Sequence, residues 1–221
     1  MLLLSKTSSW CESAQRFVRA HVPDAIVVHG ERHDPLPATV ADWSGDYIVS
    51  FLCPWVLPAA TLGRARKAAL NFHPAPPEYP GTGCYNFAIY DSAAQYGVTC
   101  HHMLPRVDSG PIVRVLRFPL LPDDTVALLK ERSMSYLLTL FYEVLGVIAV
   151  GGSLPRSREK WTGKARRRAE LDELCRITGD MSIAEIERRV RATTFPGAPG
   201  PFFEADGRRF DVTSELKIAR P

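Results

Sequence analysis

Short apolar runs alternate with longer mixed segments along the first 120 residues. Buried parallel strands read as continuous apolar runs, and the helices that connect them cover the sheet. The pattern predicts an α/β fold with a Rossmann-like sheet and flanking helices, in which a ligand lies at the carboxyl ends of the strands. The predicted strands span residues 2–5, 25–29, 47–51, 70–72, 97–103 and 112–118.

Capping boxes, in which a Ser is followed three residues later by a Glu, predict where two helices begin. Ser9 and Glu12 would open a helix that ends near His21, and Ser182 and Glu185 one that ends near Ala192. Two more helices are predicted, over residues 84–93 and from a Pro-Asp-Asp start at residues 122–124. The apolar tract 134–150 includes Ser, Tyr, Thr and Glu, so we interpret it as part of a buried helix that packs behind the sheet.

The chain after the long helix has a different composition. Residues 156–168 hold seven basic residues, one aromatic residue and one acid, a composition typical of a solvated surface but also compatible with a diphosphate or RNA. Asp206 and Gly207 predict a type I′ turn in a hairpin over residues 202–212. We therefore expect a catalytic domain at residues 1–150 and a small region with a helix and a hairpin at residues 151–221.

Three polar residues near strand ends stand out as candidates for chemistry. Asn71 and His73 are alternate residues of a strand, so their side chains point the same way, and Asp108 lies in a Pro- and Gly-rich turn after the next strand. Alone, each is typical of a turn or a structural position. Together they suit acyl transfer to an amine, because an amide and an imidazole can stabilise an oxyanion while a carboxylate accepts a proton.

The same stretch resembles a known family. Asn-x-His-Pro at residue 71, Tyr-Pro-Gly at residue 79, Gly-Val-Thr-x-His at residue 97 and Asp-x-Gly-Pro-Ile at residue 108 match the pattern of the 10-formyltetrahydrofolate-dependent formyltransferases. The resemblance implies a formyltransferase sheet, 10-formyltetrahydrofolate as the formyl donor, and Asn71, His73 and Asp108 as the catalytic residues. It also implies that His101 orients the site from beneath, while we assign no role to Cys100 or His102.

The resemblance further implies where each substrate binds. The donor's pterin ring would lie against Trp55, Val56 and Leu57, with Leu104 and Asp108 on the opposite loop. Tyr79, Tyr85 and Ser8 are candidates for the acceptor site. Tyr85 fits core packing equally well, and helix capping is an alternative function for Ser8.

Two features narrow the range of possible acceptors. The loop at residues 6–9 has no glycine, whereas family members that bind glycinamide ribonucleotide use a glycine-rich loop there for its phosphate. The barrel domain of methionyl-tRNA formyltransferases is not expected either, and the C-terminal region resembles that of the nucleotide-sugar N-formyltransferases. We therefore expect a nucleotide-linked amino-deoxysugar. A formyltetrahydrofolate hydrolase, a formyltransferase for another small amine, and a non-catalytic folate- or RNA-binding protein are the alternatives.

Composition adds a few expectations. The 27 Lys and Arg against 24 Asp and Glu residues give a net charge of +3, which is too weak to indicate nucleic acid or a membrane as a partner. Five scattered cysteines and the lack of a secretory signal favour a cytoplasmic location. The proposed chemistry needs no metal, and we expect a homodimer that acts on a small-molecule substrate.

Overall fold

The computed structural model describes residues 1–212, which form a six-stranded sheet and a separate three-stranded sheet. The large sheet has the order β2-β1-β3-β4-β5-β6; β1 to β4 are parallel, and β5 and β6 are antiparallel to their neighbours. This confirms the predicted α/β class and Rossmann-like sheet. Its strands are β1 (Leu2–Ser5), β2 (Ile26–His29), β3 (Gly45–Phe51), β4 (Ala65–His73), β5 (Gln95–His102) and β6 (Ile112–Pro119).

Four helices precede the sixth strand and three follow it. They are α1 (Ser9–His21), α2 (Ala38–Ala41), α3 (Ala59–Leu62), α4 (Cys84–Tyr90), α5 (Val126–Ala149), α6 (Arg168–Cys175) and α7 (Ile183–Thr193). The predicted helices at residues 84, 182 and 122–149 are present, although α4 ends three residues early. Neither α6 nor the two short helices α2 and α3 was predicted.

Two predicted helix starts are wrong by one to three residues. Ser8, not Ser9, caps α1, because its backbone is extended and its hydroxyl accepts the N–H of Cys11 at 3.2 Å. Thr125 caps α5 by accepting the N–H of Leu128, so Pro122 and the two aspartates stand before the helix. The Ser182 cap is confirmed, since its hydroxyl accepts the N–H of Glu185 at 3.2 Å.

Strand β4 is longer than predicted. Its first residues are charged, and Arg66 and Lys67 pair with Asp46 of the neighbouring strand at an exposed end of the sheet. An apolar run marks only the buried part of a strand, which is why the sequence pattern gave residues 70–72 alone.

Helices α1 and α5 cover one face of the sheet. The rings of Phe51, Phe72 and Phe141 meet there, with ring centroids 4.9 to 6.0 Å apart. Phe141 lies on α5, so the predicted packing of the long helix behind the sheet is confirmed. Within the part of the chain that the structure describes, no helix is both long and apolar enough to cross a membrane.

In the region after α5, helix α7 docks on α4. Asn86 donates to the carbonyl of Ala192 at 2.7 Å, and Tyr90 donates to Glu185 at 2.7 Å. The predicted hairpin consists of β8 (Phe202–Ala205) and β9 (Arg208–Asp211), and β7 (Arg176–Ile177) extends it to three strands. Asp206 and Gly207 both have positive φ angles, as the predicted type I′ turn requires. The domain boundary at residue 150 stays a prediction, and residues 213–221 of the expected C-terminal region lie outside the described residues.

Candidate active site

Strand register places three polar side chains in one row across the sheet. Ser50 of β3 is the register partner of Asn71 of β4, and Asn71 is the partner of His101 of β5. The Ser50 hydroxyl donates to Asn71 Oδ1 at 2.7 Å, and Asn71 Nδ2 lies 3.2 Å from His101 Nε2. Within residues 1–212 the second N–H of the Asn71 amide has no hydrogen-bond partner, so it can donate to a ligand. The neighbouring register row is Phe51, Phe72 and Cys100, all buried in the core, so a one-residue slip would exchange the two rows.

His101 presents a defined nitrogen to this row. Its Nδ1 lies 2.8 Å from the carbonyl oxygen of His102, a hydrogen bond that requires the proton on Nδ1. The neutral ring therefore offers Nε2 as an acceptor, and Asn71 Nδ2 donates to it. The ring is buried and lies within the pocket wall described below.

Asp108 reaches the row from the loop between β5 and β6. Its oxygens lie 3.4 Å from His73 Nδ1 and 3.4 Å from His101 Nε2, and Oδ2 accepts the backbone N–H of Gly81 at 2.9 Å. The residue is buried and has a φ of 45°, a left-handed conformation that Asp tolerates better than most residues. The loop is held close to β5, since a Cβ on Gly110 would lie 1.8 Å from the carbonyl oxygen of His102.

His73 lies behind Asp108 and does not line the pocket. Its Nδ1 faces the Asp108 carboxylate, and its Nε2 lies 3.2 Å from the carbonyl oxygen of Tyr79. Both neighbours are hydrogen-bond acceptors, so the neutral ring can donate to only one of them, whereas the protonated ring can donate to both. The pair of His73 and Asp108 thus has a place for one additional proton.

Burial and the hydrogen-bond network shift the pKa values of both His73 and Asp108. Burial lowers the pKa of His73, and the nearby Asp108 carboxylate offsets only part of that effect. Burial opposes the charge of Asp108, yet the proximity of His73 and His101 and the hydrogen bond from the Gly81 backbone N–H lower its pKa to about 2. At neutral pH the site therefore holds a carboxylate beside a neutral imidazole.

An apolar pocket of about 180 Å³ opens next to this network. It brings together the five residues predicted to bind the donor, namely Trp55, Val56, Leu57, Leu104 and Asp108, and adds Asn71. Trp55 is fixed by donating its indole N–H to the carbonyl of Asp34 at 3.0 Å. Sequence reasoning did not single out the other lining residues, which are Ser50, Cys53, Pro54, Leu62, Met103 and Val107, and it did not place His101 in the wall.

The three predicted acceptor residues lie in two places, since Tyr79 and Tyr85 both pack against Tyr96 and Ser8 lies at the start of α1. The Tyr79 carbonyl contacts His73, and its ring stacks on Tyr96 with centroids 6.2 Å apart. Tyr85 packs on Tyr96 at 5.8 Å and borders a second pocket with α5 and α7, away from Asp108. Ser8 caps α1. Of the three, Tyr79 alone contacts a member of the network, and the acceptor role of all three stays a prediction.

The basic segment contributes a residue that sequence reasoning missed. Residues 155–167, here called the strap, cross the site after α5. The ring of Trp161 lies edge-on to His101, with centroids 5.0 Å apart, and 6.0 Å from His73. Its indole N–H donates to the carbonyl of Gly110 at 2.7 Å. The strap also pairs with the loop below Asp108, since Arg166 N–H donates to the carbonyl of Pro80 and Thr82 N–H to that of Arg166.

The site combines an amide, an imidazole and a carboxylate at the strand ends, beside an apolar pocket. This arrangement defines an acyl-transfer or group-transfer enzyme of the α/β class. Comparison with known proteins makes this specific. Residues 12–145 match the family model described as formyl transferase, which is more than half of the chain. The chain belongs to the formyltransferase family, and it is a transferase that moves a formyl group.

Solved structures with the same fold agree with this assignment. A Mycobacterium tuberculosis protein described as a sugar N-formyltransferase superposes with a TM-score of 0.79 at 22% identity, covering 100% of this chain and 99% of that one. A Helicobacter canadensis N-formyltransferase, in complex with folinic acid and dTDP-3-aminofucose, has a TM-score of 0.72 at 15% identity over 93% and 84% of the two chains. A Clostridium thermocellum methionyl-tRNA formyltransferase has a TM-score of 0.67 at 17% identity over 95% and 90%. Since these relatives differ in acceptor, the shared fold does not select one.

Proposed function

We propose that this enzyme transfers the formyl group of 10-formyltetrahydrofolate to the primary amine of a nucleotide-linked amino-deoxysugar. The observation that carries the proposal is the placement of Asn71, His101 and Asp108 in the wall of an apolar pocket at the sheet edge. The pocket suits the flat pterin end of a folate, because a Trp and several aliphatic side chains line it together with a few polar groups.

Each polar group has a role in that reaction. The free N–H of Asn71 donates to the formyl oxygen as negative charge develops there, with Ser50 and His101 holding the amide in place. Asp108 is ionised and accepts the proton that the attacking amine loses. The new carbon–nitrogen bond forms, the bond from the formyl carbon to N10 of the donor breaks, and N10 takes up the proton that Asp108 accepted from the amine.

His73 acts through Asp108 in this proposal. The His73 ring contacts both the Asp108 carboxylate and the carbonyl oxygen of Tyr79. It can therefore share the proton that Asp108 accepts without moving. The candidate catalytic residues remain Asn71, His73 and Asp108, with His101 added as the group that orients Asn71 and lines the pocket.

Two observations support an amino sugar as the acceptor. Ser8 serves as a helix cap and the loop before it lacks glycine, so this loop offers no phosphate site like that expected for glycinamide ribonucleotide. The structure also superposes better on the M. tuberculosis protein, with a TM-score of 0.79, than on the methionyl-tRNA formyltransferase, with a TM-score of 0.67. The expected homodimer and cytoplasmic location stay predictions.

The test offers a panel of acceptors with 10-formyltetrahydrofolate and follows release of tetrahydrofolate. We expect turnover with a thymidine diphosphate 3-amino- or 4-amino-deoxysugar, and none with glycinamide ribonucleotide or methionyl-tRNA. Turnover of glycinamide ribonucleotide would contradict the acceptor class. Folate hydrolysis that no amino sugar accelerates would favour the hydrolase instead.

A further inference from the structure

A long open groove of about 950 Å³ continues from the donor pocket. The two share Leu62, Met103 and Leu104, so a ligand that fills the pocket and extends beyond it enters the groove. The groove floor is formed by β4, by the end of β5 and by Ile112, and residues 155–160 of the strap form one wall. Asp108 and Asn71 are not among the groove residues.

The strap turns one set of side chains inward and the alternate set outward. Inward-facing Glu159 pairs with Arg117, and Trp161 donates to Gly110. The backbone N–H of Ser157 donates to the carbonyl of Ile112 at 3.1 Å. These contacts fix the strap against β6 and the β5–β6 loop.

The outward set is cationic. Arg156, Arg158 and Lys160 are exposed and line the groove. Among residues 1–212, none of the three forms an ion pair, whereas Lys67 on the β4 floor of the groove pairs with Asp46 at 3.1 Å. The groove wall therefore carries three positive charges at every second residue, and the acid between them, Glu159, already pairs with Arg117.

We propose that this groove binds the oligo-γ-glutamate tail of the folate donor, an inference that rests on the proposed function. A pocket of about 180 Å³ accommodates the ring end of a folate, so the aminobenzoyl group and the glutamates leave it through the shared opening. Each added γ-linked glutamate brings one more carboxylate past the row of cations. An ion pair between one such carboxylate and one exposed cation is weak in water, but several pairs along one tethered chain reinforce each other.

A nucleoside diphosphate has the same anionic chemistry and is the other source of a ligand for these cations. The groove continues from the donor pocket and does not include the carboxylate that faces the attacking amine. This favours the donor's tail over the acceptor's diphosphate.

The test compares binding of 5-formyltetrahydrofolate bearing one and five glutamates. We expect the wild-type protein to bind the pentaglutamate about tenfold more tightly at low salt, with the difference shrinking as salt screens the charges. Replacing Arg156, Arg158 and Lys160 together by Gln should abolish the difference and leave the monoglutamate affinity within about twofold. A control triple variant, Arg19→Gln, Lys164→Gln and Arg208→Gln, removes three exposed cations outside the groove and should retain the difference.

Equal binding of both tail lengths by the wild-type protein would overturn the proposal, as would an undiminished preference in the groove variant. Loss of thymidine diphosphate affinity in the groove variant, with the tail preference retained, would assign the groove to the acceptor. Binding of the monoglutamate tests the formyl-folate donor of the proposed function independently of the groove. If neither folate bound at all, the formyl-folate donor itself would be wrong.

Discussion

Asp108 is the residue on which the proposed chemistry most directly depends. Asn also tolerates a left-handed backbone, so Asp108→Asn should fold while removing the proton acceptor. We expect kcat to fall on the order of a hundredfold or more, with affinity for 5-formyltetrahydrofolate little changed. Exposed Asp123→Asn is the control and should be neutral. Near-normal turnover in Asp108→Asn would exclude the carboxylate as the general base.

Trp161 is expected to position the two histidines. Trp161→Leu removes both the ring against His101 and the N–H to Gly110, and should lower kcat on the order of tenfold. Trp161→Phe keeps an aromatic ring and should recover part of the loss. Because the histidines would be affected, the pH–rate profile of the Leu variant should also move. Trp43→Phe is the control, since its ring packs on Gly45 and is not among the residues that line the pocket. An unchanged profile in Trp161→Leu would reduce Trp161 to a structural role.

His73 gives the folded protein a defined pH dependence. Its pKa is below 6.5 in the folded state, so the unfolded chain binds this proton more readily. The free energy of unfolding should therefore fall as the pH drops below 6.5, and Asp108 adds a further fall between pH 3.8 and about 2. Urea unfolding between pH 7.5 and 5.5 should show a shallower dependence in His73→Gln than in wild type or in the exposed control His29→Gln. Equal slopes in all three proteins would contradict this account of His73.

At the scale of elements, the turn at Gly81 connects the strap to the active site. Gly81 has a φ of 83°, and a Cβ there would lie 2.5 Å from the carbonyl oxygen of Arg166. Gly81→Ala should lower the free energy of unfolding by about 1–3 kcal/mol and reduce kcat, because the N–H that binds Asp108 would move.

Gly146→Ala on α5 is the matched control for Gly81. No atom lies within 4 Å of a Cβ there, and an alanine inside a helix should stabilise the protein by about 0.5–1 kcal/mol. Chemical denaturation of both variants, with kcat measured alongside, checks the pair. A neutral effect of Gly81→Ala would mean that the strap and the turn are not coupled.

The strands and the polar row could be predicted from sequence because their signals are local. Asn71 and His73 share a strand face by spacing alone, and a buried parallel strand is recognisable as an apolar run. The roles of His101 and Trp161 depend on contacts between distant residues. Trp161 and Gly110 are 51 residues apart, and nothing local to Trp161 indicates which loop it reaches. Its one local signal is the alternation of basic and non-basic residues from Arg156 to Trp161.

The exact helix starts were missed for a different reason. Ser8 and Ser9 are equally good capping residues by type, and only the extended backbone of Ser8 distinguishes them. Helix α6 and strand β7 lie in a segment rich in charged residues, where packing against other elements rather than apolar periodicity stabilises the structure.

At the scale of the molecule, the region after α5 completes the site. The strap supplies the ring beside His101 and the cations of the groove, and α7 docks on α4 through Asn86 and Tyr90. The sheet alone therefore accounts for the polar row but not for its surroundings.

The most direct test follows the formyl group itself. The enzyme is given 10-formyltetrahydrofolate carrying a ¹³C label in the formyl group, together with a thymidine diphosphate amino-deoxysugar, and the acceptor is analysed by mass spectrometry and NMR. We predict that the wild-type enzyme places the labelled formyl group on the sugar amine and that Asp108→Asn leaves the acceptor essentially unlabelled. Label that appeared only in free formate, or an acceptor formylated equally well by Asp108→Asn, would contradict the account.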